Sequence, residues 1–309
     1  MQAANKPAFH RRSIKPERFL ALGFFLLIVA GGFVLTLPVS SADGRTVGIR
    51  QAMFSATSAV CVTGLTIVDV GVELSFFGQA VLLMLIQVGG LGFMAFATLI
   101  MVALGRRISL RDRMILRDAM NQEALSGMVR LTLAFFLIAL VVELCGALLL
   151  MTRLIPLYGP ARGVWQSLFT SVSAFCNAGF DILGTNGNLY PSLTGYVQNP
   201  VINITIMLLI ITGGIGFLTW DDICENKLHF HRYRMQSKVI LVTTLTLIVL
   251  PALFFFFVDF DALPLRERVQ AALFQSVTPR TAGFNTVDLP AMSGCLLYTS
   301  DAADDLIGV

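Results

Sequence analysis

Charge is scarce in this 309-residue chain. Asp, Glu, Lys and Arg make up 13% of it, about half the roughly 25% of an ordinary soluble domain. Apolar residues reach 56% and mean hydropathy is +0.77, a balance that excludes a water-soluble globule. Histidine is nearly absent as well, with 3 residues, His10, His229 and His231. None has Cys, Asp or Glu at ligand spacing, so neither a zinc site nor a general acid–base enzyme finds its usual side chains. His229-x-His231 reads as part of a solvated basic loop. The five cysteines are an odd number, and Cys61, Cys145 and Cys176 lie in segments expected at membrane depth, so no disulfide framework is implied. Net charge is only +3, which gives nucleic-acid binding no electrostatic support. The G-x-G in "VGGLGF" follows an apolar run without the strand, turn and downstream acid of a dinucleotide fold. Helix packing, or a bend against a neighbour, accounts for it.

What the chain has is long apolar runs. Stretches near 19–37, 79–104, 130–151, 200–219 and 239–258 approach the ~20 residues that cross about 30 Å of hydrocarbon as helix. The first follows a polar, basic lead and has no small-residue cleavage site behind a short apolar core, so a retained helix is expected rather than a cleaved signal. Basic residues gather in three segments: Lys6, Arg11, Arg12, Lys15 and Arg18; Arg106, Arg107, Arg111, Arg113, Arg117 and Arg130; Lys227, Arg232, Arg234 and Lys238. Short basic loops stay cytoplasmic. The expectation is a multi-pass protein of the cell inner membrane, in the lipid bilayer, with its amino terminus inside.

Between these spans lie segments too polar to cross and too apolar for a loop, "FSATSAVCVTGL" from Phe54, "FTSVSAFCNAGF" from Phe169 and "FQSVTPRTAGF" from Phe274. Aligned at their phenylalanines they bring Gly64, Gly179 and Gly283 into register, the third being one residue shorter before its glycine. Irregular backbone at membrane depth is tolerated only where protein buries it or where it lines a water-filled cavity, so each segment should be a half-helix that dips in and an extended return. "QVGGLGF" and "ITGGIGF" recur downstream of the first two. The fold expected is all-α and integral to the membrane, built of repeated helix, re-entrant loop, helix units. In residues, 1–18 is a cytoplasmic segment, 19–104 repeat 1, 105–129 a basic cytoplasmic loop, 130–220 repeat 2, 221–238 a second basic loop and 239–292 a partial repeat 3. Residues 293–309, "GCLLYTSDAADDLIGV" after Ser293 included, read as a truncation or a translated cloning scar.

Three related loops, the paired GG-x-GF elements and the phrase "SVTPRTAGFNTVDL" together resemble the membrane subunit of the Ktr/Trk/HKT superfamily of potassium transporters. The start of the first repeat near residue 19 makes the Ktr type the expected branch. The resemblance implies four units around a central pore, of which about two and a half are visible here, and potassium uptake without covalent chemistry. It also implies a homodimer, a cytoplasmic nucleotide-binding regulatory subunit and no bound cofactor, with potassium as the transported ion and sodium as a candidate coupling or activating ion. A non-conducting fragment and a sodium/potassium-permeable relative are the alternatives.

A dehydrated potassium ion needs a ring of weak oxygen dipoles, which backbone carbonyls supply. Turning them inward in a short return calls for conformations that glycine adopts without a Cβ penalty. The filter candidates are Val62, Thr63 and Gly64; Asn177, Ala178 and Gly179 after Cys176; and Thr281, Ala282 and Gly283 after Arg280. In the family a serine at the first glycine position goes with sodium passage, so Gly64 implies potassium selectivity. Asp69 and Asp288, five residues after their glycines, and Asp181, two after its own, either enrich cations at the outer mouth or brace the loops. Ser58, Ser173 and Thr278 either bond locally or act directly. Arg280 is expected to point away from the ion, toward loop backbone or Asp288. Glu143, an acid inside an apolar span, is expected to accept from backbone N–H groups of a neighbouring loop.

Overall fold

The structure, a computed structural model, describes residues 16–92, 95–96, 128–185, 187–227, 229–258, 260 and 263–287. Asp288 and the basic residues 105–127 lie outside them. Among the described residues the chain is helical, with two isolated bridges, Ser41 to Leu74 and Thr185 to Asn188, in place of a sheet.

Repeat 1 opens with α1 (Pro16–Thr36) and drops into α2 (Ile49–Cys61). At about 1.5 Å per residue, the 13 residues of α2 rise roughly 20 Å and cannot cross about 30 Å of hydrocarbon. A short turn of helix, α3 (Val70–Glu73), leads to α4 (Phe76–Gly90), whose N-cap Ser75 accepts from the Gly78 N–H. Repeat 2 opens with α5 (Met128–Tyr158), in which 27 residues, Thr132–Tyr158, form a span longer than expected. The half-helix α6 (Pro160–Phe175) starts with proline at its first position, where the missing N–H costs nothing. α7 (Pro200–Gly214) is capped by the Asn199 side chain, which accepts from Val201 and Ile202.

The apolar run 200–219 was expected as one span and is not one: the chain turns by 100° after Gly214 and continues as α8 (Phe217–Asn226). Gly216 sits at φ +80, in the left-handed region that side-chain-bearing residues avoid. The Trp220 indole N–H closes the corner onto the Thr212 carbonyl at 2.9 Å. Gly92, φ +86, ends α4 in the same way. The third repeat contributes α9 (Met235–Val258) and α10 (Leu265–Val277), followed by a 3-10 turn, Thr278–Arg280.

Each outer helix packs most extensively on the half-helix of its own repeat, α1 on α2, α5 on α6 and α9 on α10. Neighbouring repeats join where α4 meets α6 and where α7 meets α10. The interior between them holds Phe169 and Phe274, which open two of the repeated loops, and Phe180 and Phe284, which follow the loop glycines; all four are fully buried. Outward, α9 exposes Leu245, Leu250, Leu253 and Phe257, an apolar face suited to lipid and unsuited to water. This is a membrane protein.

The α8–α9 corner is held by one buried carboxylate. Asp222, 1% exposed, accepts from the Arg234 N–H at 3.1 Å and from the Ser237 hydroxyl, and faces the Arg234 guanidinium at 3.5 Å. Asp222→Ala leaves the buried Ser237 hydroxyl without a partner at about 1–3 kcal/mol. The expected outcome is a melting temperature in detergent lowered by several degrees while Asp221→Ala, which removes only an exposed pair, changes it little.

Candidate functional site

The three half-helices end in related ways, and the ends build the site. In repeat 1 the Thr63 N–H reaches back to the Ser58 carbonyl at 2.9 Å and the Val62 N–H to Ala59 at 3.3 Å; in repeat 2 Ala178 reaches Ser173 at 2.8 Å and Asn177 reaches Ala174 at 3.1 Å. Both are Schellman closures, which need a left-handed residue just past the helix, and Val62 (φ 57) and Asn177 (φ 58) take that conformation. A β-branched residue there is strained, a form of cost that concentrates at functional sites. Loop 3, one residue shorter, closes differently: Ala282 and Gly283 donate to Thr278 at 3.1 and 3.2 Å, and Thr281 stays at negative φ. The three glycines then coincide in conformation, Gly64 at φ +75, Gly179 at +70 and Gly283 at +75.

The loops touch through backbone. A Cβ on Gly64 would lie 2.5 Å from the Ala178 carbonyl oxygen, and one on Gly179 would lie 1.9 Å from that of Ala282. Gly64, Gly179 and Gly283 line one cavity of about 160 Å³, with Thr66, Asp69, Asp181, Tyr190, Ser192 and Asn285 around it. Of the other filter candidates, Asn177 lines a second cavity of about 110 Å³ with Cys176, Gly90, Gly213 and Gly216.

Asp69 lines the first cavity but is 4% exposed and occupied with backbone. One oxygen caps α3 by accepting from Gly71 and Val72 at 2.9 and 3.1 Å; the other accepts from the Tyr190 N–H at 2.7 Å. It therefore braces repeat 1 against repeat 2, and Gly184 is a glycine because a Cβ would lie 2.2 Å from this carboxylate. Asp181 accepts from the Leu183 N–H at 3.1 Å. Repeats 2 and 3 are tied at the same level, Leu193 N–H to the Asn285 carbonyl at 2.8 Å and Asn285 N–H to the Ser192 hydroxyl at 2.9 Å. The segment 190–193 thus docks on both neighbours, a role without a motif in the sequence.

Beneath the loops, the Ser173 and Thr278 hydroxyls bond to the Phe180 and Phe284 carbonyls at 2.7 and 2.6 Å, and the Thr63 hydroxyl bonds to that of Ser58 at 2.9 Å, so this set bonds locally. Glu143 corrects the expectation of backbone partners: both its oxygens accept from the Gln87 side-chain amide at 3.0 Å, while its carbonyl accepts from the Ser171 hydroxyl at 2.6 Å. The buried carboxylate is thus met by a side-chain amide from α4, with the Cys176 thiol of the second loop 4.0 Å from Oε1. Arg280 likewise donates to the Thr244 hydroxyl on α9 at 3.2 Å, away from the loop backbone. The first glycines of the GG pairs prove to be seats for the half-helices: a Cβ on Gly89 would lie 2.3 Å from the Val60 carbonyl oxygen, and one on Gly213 would lie 1.8 Å from that of Phe175, the equivalent residue.

The TrkH family, described as "Cation transport protein", matches residues 16–298. The chain is 40% identical over 291 residues to Ktr system potassium uptake protein B of Bacillus subtilis (strain 168), covering 92% of this chain and 63% of that protein. It is 39% identical over 291 residues to potassium/sodium uptake protein NtpJ of Enterococcus hirae, with coverage of 92% and 62%. Against Ktr system potassium uptake protein B of Vibrio alginolyticus the identity is 34% over 279 residues, with coverage of 88% and 60%. The chain spans a little under two thirds of the length of these curated relatives. With the repeats, the re-entrant half-helices and the match over nearly its whole length, this chain belongs to the TrkH family of cation transport proteins.

Proposed function

We propose that this chain supplies the larger part of the pore of a potassium uptake system in the cytoplasmic membrane, its amino terminus inside. The observation that carries the proposal is the meeting of three repeat-equivalent, left-handed glycines around one polar cavity. Carbonyls of Val62, Thr63, Asn177, Ala178, Thr281 and Ala282, turned inward at the glycines, replace the water of an entering ion. The half-helices α2, α6 and α10 point their carboxyl ends at the loops, and the partial negative charge there favours cations. Asp69 and Asp181, lining the mouth, raise the local cation concentration. Flow follows the electrochemical gradient with no bond made or broken.

Pairing with a second copy and a cytoplasmic nucleotide-binding subunit on the basic inner loops completes the proposed system, with sodium as the candidate coupling ion. The test is ion uptake by the chain extended to the full length of its relatives, in a host lacking its own potassium uptake. Growth at low potassium and potassium influx little affected by equal sodium are expected. Protein present in the membrane with no potassium influx would overturn the proposal.

A further inference from the structure

Val62, Asn177 and Thr281 stand at the same place in their loops, two residues before Gly64, Gly179 and Gly283. The glycines line the mouth cavity, whereas Asn177 lines the separate cavity beside Gly90 and Gly213; Asn177 thus stands at the far side of its loop from the mouth. There the Thr281 hydroxyl donates to the Asn177 Oδ1 at 2.9 Å, across the border between repeats 2 and 3. The other end of the amide faces the Phe175 carbonyl at 3.5 Å, and α7 closes behind it, since a Cβ on Gly213 would lie 3.2 Å from the Asn177 Nδ2. The amide is therefore held by its own half-helix and offers its oxygen to the next repeat.

Asparagine at φ 58 could serve only the left-handed turn, which it tolerates better than most residues. Val62 adopts φ 57 at the equivalent position, so the fold reaches this turn without an asparagine. The side chain is then free to be selected for its bond to Thr281.

We propose that Asn177 and Thr281 are positioning residues for ion selectivity: their hydrogen bond fixes the spacing of two loop walls, so that sodium cannot draw the carbonyls together around its smaller radius. The proposal rests on the reading of these loops as an ion filter. At the border of repeats 1 and 2, where Val62 offers no such group, the Cys176 thiol lies 3.7 Å from the Gln87 amide oxygen and Cys176 packs against Gly90. The same thiol lies 4.0 Å from Glu143 Oε1, so the hydroxyl–amide bond is particular to the border of repeats 2 and 3.

The experiment measures potassium influx against sodium influx, per molecule in the membrane, for the full-length protein in an uptake-deficient host. Thr281→Val and Asn177→Gly, the latter keeping the left-handed turn, break the bond from opposite sides. Each is expected to lower the potassium-to-sodium ratio about fivefold, the factor that one ordinary hydrogen bond carries. The double variant should lower it no further, and Thr281→Ser should restore it. An unchanged ratio in either single variant, or additive losses in the double one, overturns the proposal. Gly64→Ser measured in parallel separates the two levels. If it alone shifts the ratio, the filter stands and the clasp falls; if nothing shifts it, both fall.

Discussion

Gly213→Ala is expected to disable transport and to destabilise the protein, although the added group is one methyl. The new Cβ would sit 1.8 Å from the Phe175 carbonyl oxygen and 2.9 Å from its carbon, far inside van der Waals contact, and both obstacles are backbone at the end of α6. Neither can swing aside as a side-chain tip could. α7 must back away from the half-helix, carrying with it the floor on which Asn177 rests. Overpacking of about 3 kcal/mol corresponds to a melting temperature lower by about 5 °C in a chain of this size. Gly214→Ala is the internal control: its nearest neighbour, the Asn177 Nδ2, lies at 3.8 Å, ordinary contact, and alanine favours a helix by about 1 kcal/mol over glycine. Thermal melts in detergent and uptake assays on the two variants should therefore diverge sharply. Equal behaviour would mean that the α6–α7 contact is not as tight as described.

Gly64→Ser should instead act on ion choice. The position requires φ +75, where a side chain costs about 1–2 kcal/mol, and its Cβ would press on the Ala178 carbonyl oxygen at 2.5 Å. That oxygen belongs to the next wall of the proposed filter, so relief of the clash displaces an ion ligand. A fall of about tenfold in potassium-over-sodium discrimination is expected, the amount that roughly 1.4 kcal/mol of differential ion stabilisation carries. The atoms that Gly64 meets are the Ala178 and Gly179 backbone of the next loop, and the amount inserted should change little. Parallel influx measurements at matched membrane abundance check this; unchanged discrimination would count against Gly64 as a filter residue.

Much of the architecture was legible in the sequence because two of its signals are local. Long apolar runs announce spans, and a glycine recurring ten residues after a phenylalanine in two loops, nine in the third, announces repeated units. What stayed hidden depends on contacts between distant segments. The partner of Glu143 is Gln87, 56 residues away on another helix, and no periodicity links them. Asp69 meets Tyr190 across 121 residues, which turned a residue read as either mouth charge or brace into one that braces while lining the mouth. The bend after Gly214 lies inside an unbroken apolar run, where hydropathy favours one continuous helix and only Gly216 at φ +80 reveals the corner. Val62 gave no hint of a left-handed conformation, because valine is among the residues least suited to it; its closure is imposed by the half-helix end. Asp288, expected at the mouth, lies outside the described residues.

The most direct test of the shared axis is an anomalous difference map of the full-length protein crystallised with rubidium, which scatters anomalously and travels as potassium does. Ion density among the loops, on a line equidistant from Gly64, Gly179 and Gly283 and within about 3 Å of their neighbouring carbonyl oxygens, the reach of an ion–oxygen contact, is what the arrangement predicts. A protein that transports rubidium yet binds it elsewhere, with these three glycines facing lipid, would contradict it.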